Sequence, residues 1–117
     1  MRDERATKAD NRVLVMGPDA ASRRLTAHLL EAIGACPVDG GAAWSGLDRA
    51  LETSFRAIVC DEGADAGYGE TLALAAAMRG IQVPLVVISS IIAEDGPSHG
   101  PLRLRKPVPP EALRAAI

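Results

Sequence analysis

At 117 residues and a net charge of −2, the chain has room for one small domain and lacks the basic excess of a polyanion-binding protein. Hydrophobic residues make up 48% of it, yet there is one Trp, one Tyr and one Phe, so the core must be aliphatic. No apolar run approaches the ~18 residues of a membrane span, and the charged first dozen residues lack the apolar centre of a secretory signal, so a cytoplasmic setting is expected.

Residues 1–11 are polar and without apolar periodicity, which reads as a disordered leader or interdomain linker ahead of one domain over 12–117. Residues 13–16 (Val-Leu-Val-Met) form an apolar run of strand length that stops at Gly17-Pro18. A helix follows from Asp19 or Ala20, with Ala21, Leu25, Leu29 and Ile33 stepping by four, and Gly34 is placed to end it. Residues 35–38 read as a second strand, and Pro37 puts it at a sheet edge. The loop Gly40-Gly41 leads to a helix with Ala43, Leu47, Ala50 and Leu51 on one face, where Trp44 is expected to anchor strand to helix.

Residues 57–60 form the third strand, ending at Asp61. A loop with Gly63, Gly67 and Gly69 precedes a helix over about 70–78, terminated by Gly80. The strand at 85–88 is the most hydrophobic and ends at Ser89-Ser90. Between Ala93 and Pro101 two Gly and two Pro leave no uninterrupted turn, so residues 92–101 are expected to be a loop. Residues 102–104 give a fifth strand, and Pro109-Pro110-Glu111 starts the last helix, with Pro tolerated in its first turn. Strands alternating with helices imply a parallel sheet covered on both faces.

Cys36 and Cys60 are too few for a disulfide framework or a zinc site, and both fall in strands, where small buried hydrophobes are expected. His28 has no Cys or His partner pattern for metal, and Gly67-Tyr68-Gly69 is too short for a dinucleotide fingerprint.

In open α/β sheets, function gathers beyond the carboxyl ends of the strands. Those ends here carry Gly17-Pro18-Asp19, Asp61-Glu62, Ser89-Ser90 and Lys106-Pro107. An acid, a hydroxyl and a lysine on three strands, with Lys-Pro directly before the last helix, resemble the CheY-like receiver domain of two-component response regulators over 12–117. The resemblance implies a doubly wound five-stranded parallel α/β sheet of order 2-1-3-4-5, with the helix between the fourth and fifth strands replaced here by a loop. Cys36 and Cys60 would then flank the first strand on opposite sides and could not pair. It also implies roles. Asp61 matches the phosphoacceptor, Ser89 the switch hydroxyl and Lys106 the lysine that contacts the phosphoryl group.

The departures from the family pattern are as informative. Two acidic residues that hold Mg²⁺ are expected directly after the first strand, and Gly17 and Pro18 stand there instead. Neither offers a carboxylate, while Asp19 reads as a helix cap turned away, so Mg²⁺ is expected to be lost and no cofactor is expected. The Met-Pro expected after the phosphoacceptor is Ala64-Asp65, and the aromatic switch position is Arg103. Asp61 and Lys106 are expected to persist as an ion pair.

These features predict a pseudo-receiver: a regulatory, non-enzymatic module that works by protein contact, possible within a hybrid histidine kinase and touching a kinase or neighbouring receiver domain. Two alternatives stand beside it. Asp61 could remain a working phosphoacceptor, or Arg103 and Arg105, on one face of the fifth strand, could bind cyclic di-GMP as other receiver-like domains do.

Overall fold

The computed structural model describes residues 11–90 and 101–117. Within them run β1 (Arg12–Met16), α1 (Ala20–Ala32), β2 (Cys36–Gly41), a 3₁₀ turn (Trp44–Leu47), α2 (Asp48–Glu52), β3 (Ala57–Asp61), α3 (Tyr68–Met78), β4 (Leu85–Ser89), β5 (Leu102–Arg105) and α4 (Pro110–Ala116). The five strands form one parallel sheet in the order β2-β1-β3-β4-β5, the doubly wound arrangement that the receiver resemblance implies. The expected leader, up to residue 10, and the expected loop in place of a helix, over residues 92–100, lie outside the described residues.

Period-two alternation divides the core between the two faces of this sheet. Val13, Val15, Val59, Val86 and Ile88 point to one face and pack with Leu30 of α1 and Leu113 of α4. Leu14, Met16, Ile58, Cys60 and Val87 point to the other and pack with Leu47, Tyr68, Leu72 and Ala76. β1 and β3 are almost wholly buried because both faces and both edges are covered, which accounts for their unbroken apolar runs.

Three local expectations are corrected. In α1 the fully buried residues are Thr26 and Leu30; of the expected stripe, Leu29 and Ile33 pack half-buried against the same core, while Leu25 is 70% exposed, so the centre of the inward face lies one position on. The helix expected around Ala43 to Leu51 breaks into the 3₁₀ turn and the short α2, leaving Leu51 exposed. Cys60 is buried, but Cys36 is exposed because β2 is an edge strand; the two lie on opposite sides of β1, and both are free.

Tyr68 opens α3 and locks the loop after β2 to it. Its hydroxyl donates to the Ala42 carbonyl at 2.7 Å, and its ring meets the Trp44 ring at 4.9 Å between centroids. Burial, reinforced by the nearby Cys60, pushes the Tyr68 phenol up to about 12. Trp44 is thus an anchor, as its sequence position suggests.

Candidate functional site

The carboxyl ends of β1, β3, β4 and β5 meet on one rim, bringing Gly17, Asp61, Ser89 and Lys106 to the same end of the sheet. β3 ends in two consecutive carboxylates, and alternation sends them to opposite faces. Asp61 continues the row of Ala57 and Val59 toward α1, while Glu62 continues that of Ile58 and Cys60 toward α3.

Asp61 is 2% exposed and engaged through both oxygens. Oδ1 accepts from Lys106 Nζ at 2.8 Å and from the Gly63 N–H at 2.9 Å, and Oδ2 accepts from the Thr26 hydroxyl at 3.0 Å. Three donors therefore occupy a carboxylate with about four lone-pair positions. Lys106 sits at the mouth with its side chain 34% exposed, and its N–H is held by the Ser89 carbonyl at 3.0 Å. Ser89 itself is buried at the end of β4.

Glu62 has the more demanding environment, with no exposure at all. Its Oε2 accepts from the Gly69 N–H at 2.7 Å, in the first turn of α3, where the helix dipole favours an anion. Only glycine permits that approach: a Cβ on residue 69 would lie 2.8 Å from Glu62 Oε2 and from Val87. Oε1 faces Arg103 Nη1 at 3.5 Å, and Arg103 Nη2 donates to the exposed Glu70 at 3.1 Å. Arg103 is therefore a bridge from β5 to β3 and α3, with its side chain 24% exposed. Arg105, the other arginine on that face, is exposed.

At the tip of β1, Gly17 is buried and pressed against the Asp61 backbone, whereas Pro18 is exposed. Arg23 lies across this tip: Nη1 donates to the Gly17 carbonyl at 2.6 Å and Nε pairs with Asp39 at 2.9 Å. Asp19 caps α1 by accepting from the Ser22 hydroxyl at 2.8 Å and its N–H at 3.0 Å, and those bonds, the hydroxyl's foremost, hold its carboxyl below the usual range. Among the described residues no cluster of three His, Cys, Asp or Glu side chains suited to a metal ion occurs.

Between α1 and the segment joining β5 to α4, a cavity of about 460 Å³ reaches Asp61 and Lys106, walled by Leu25, Leu29, Ile88 and Val108. Sequence reading placed Asp61, Glu62, Ser89 and Lys106 on the rim but gave no site role to Glu62, Thr26, Glu70, Gly69 or Arg23. The pairing of Asp61 with Glu62 after a wholly apolar strand was the available signal, since alternation sends two adjacent acids to opposite faces, where each needs partners of its own.

No protein-family model matches the sequence, and no curated protein matches it by sequence. Solved structures do match. Vibrio cholerae chemotaxis protein CheY4 superposes with a TM-score of 0.72 at 18% identity, over 91% of this chain and 98% of that one. The receiver domain of the hybrid histidine kinase CckA gives a TM-score of 0.63 at 26% identity, over 89% and 93% of the two chains. The anti-anti-sigma factor PhyR from Bartonella quintana gives 0.64 at 15% identity, over 97% of this chain and 50% of that longer one. The chain thus has the CheY-like receiver-domain fold. Among the described residues no helix is long and apolar enough to cross a membrane.

Proposed function

We propose that this chain is a pseudo-receiver: a regulatory module of two-component signalling that acts by protein contact and not by Mg²⁺-dependent phosphorylation of Asp61. The observation that carries this reading is the state of Asp61, whose two carboxylate oxygens are both engaged, by Lys106 and Gly63 on one and Thr26 on the other. The donor set around it does not suit Mg²⁺, which needs oxygen ligands in near-octahedral array and carboxylates to anchor it. Gly17 and Pro18 supply no side-chain oxygen, and the Gly17 carbonyl already accepts a guanidinium. Phosphoryl transfer depends on cations to neutralise the moving charge, and Lys106 alone brings one.

With the acceptor closed, the chain's output must come from its surface. Leu25, 70% exposed on α1 beside the cavity, gives a contacting protein apolar surface to bury. A histidine kinase or a neighbouring receiver domain is the partner class that the likeness to the CckA receiver domain supports, and the same likeness supports a place within a hybrid histidine kinase. The cyclic di-GMP reading gains nothing from Arg103, which would have to leave Glu62 buried without a cation in order to bind nucleotide.

The test is intact mass after incubation with acetyl phosphate and millimolar Mg²⁺. Unmodified protein is expected, and a single phosphoryl adduct located on Asp61 overturns the reading in favour of a working phosphoacceptor.

A further inference from the structure

Thr26 occupies an unusual place for a polar side chain. It is 4% exposed on the inward face of α1, in line with Leu30, where the periodicity of the helix calls for an apolar residue. A helical threonine has a local alternative for its hydroxyl, the carbonyl of the preceding turn. Here the hydroxyl instead donates to Asp61 Oδ2 at 3.0 Å, across 35 residues of sequence. Hydrogen bonds to an ionised acceptor are roughly twice as strong as neutral ones, and this one is buried.

The other two donors to Asp61, Lys106 and Gly63, both address Oδ1. We propose that Thr26 is the positioning residue of this site: its hydroxyl fixes the carboxylate in the orientation that pairs with Lys106 and quenches Oδ2 as a nucleophile. Thr26, Asp61 and Lys106 line the same cavity, so a small electrophile lodged there meets an oxygen whose electron density is already committed to a donor. The inference rests on the reading of Asp61 as a structural carboxylate, and assigns to α1 a part in making it one.

Carbodiimide labelling tests this without metal or phosphoryl donor, so its outcome is separate from the acetyl phosphate result. The ionised Asp61 oxygen bonds to the central carbon of the carbodiimide, one nitrogen of which takes a proton from solvent, to give the O-acylisourea. Glycine ethyl ester then displaces the urea, its amine proton leaving with that urea, to give an amide. Labelling rates are read by tandem mass spectrometry for the parent, Thr26→Val and Thr26→Ser, with the neighbouring buried carboxylate Glu62 as internal reference. Thr26→Val, which keeps the shape and removes the hydroxyl, is expected to raise the Asp61:Glu62 labelling ratio roughly tenfold, the scale of one lost charge-assisted hydrogen bond. Thr26→Ser is expected to keep the parent ratio. An unchanged ratio in Thr26→Val, a parallel rise at both carboxylates, or an equal rise in Thr26→Ser overturns the proposal.

Discussion

Gly17 lies so close to the main chain of Asp61 that a Cβ in place of its hydrogen would collide with the Asp61 carbonyl oxygen. The missing side chain at the end of β1 is thus matched by a local backbone approach. Putting an acidic residue back at position 17 requires the tips of β1 and β3 to part, while position 18 is open to solvent. Gly17→Ala is therefore expected to lower stability by roughly 1–3 kcal/mol, the usual cost of forcing atoms into a packed site. Pro18→Ala should change it far less. Urea denaturation of the two variants checks this, and equal midpoints would show that the tip yields freely.

Arg103 is the cation that makes the burial of Glu62 tolerable. Arg103→Met should cost roughly 2–3 kcal/mol, below the 3–5 kcal/mol typical of breaking a fully buried pair because Arg103 is partly exposed and its contact to Glu62 is long. Glu62→Gln combined with Arg103→Met should recover a good part of that loss, since the amide oxygen can still accept from Gly69. The comparison is a double-mutant cycle by chemical denaturation; simple additivity of the two changes would dissolve the link between them.

The two cysteines should differ sharply in reactivity. Burial raises the Cys60 thiol pKa well above its ordinary range, and the Glu62 and Asp61 carboxylates push it further, so no useful thiolate forms at pH 8. Cys36 is exposed on the edge strand. Iodoacetamide should add one group to the native protein, on Cys36, and two after denaturation. Rapid native labelling of Cys60 would mean that β3 opens readily.

Tyr68 is the chain's single tyrosine, so its ionisation can be followed at 295 nm without overlap from another phenol. Its folded-state pKa is pushed up to about 12, above the ordinary phenol value of 10.0. The folded state therefore holds the neutral phenol more firmly than the unfolded chain does. The stability this contributes is fully present below pH 10 and is lost as pH rises through the window to about 12. A phenol titrating near 10 in the native protein would contradict the packing against Trp44 and the bond to Ala42.

Much of this architecture was legible in the chain itself. The apolar runs ending at Met16, Cys60 and Ile88, with helices between them, determine a parallel doubly wound sheet, because a strand without polar alternation must be covered on both faces. The same alternation rule determines that Asp61 and Glu62 part to opposite faces, and that Arg103 and Lys106 do so too. What local sequence does not contain is which groups meet. Lys106 reaches Asp61, and Arg103 reaches Glu62, across the intervening β4, and those partnerships exist only because strand order places β5 two positions from β3. Thr26 was likewise invisible as a site residue: its value comes from a rotation of α1 that exposes Leu25 and turns the hydroxyl inward. Hydrophobic stepping leaves that phase open by one position, since Leu25 and Leu29 step as regularly as Thr26 and Leu30. Packing against β3 settled it, because a buried carboxylate needs a donor more than the core needs one further leucine.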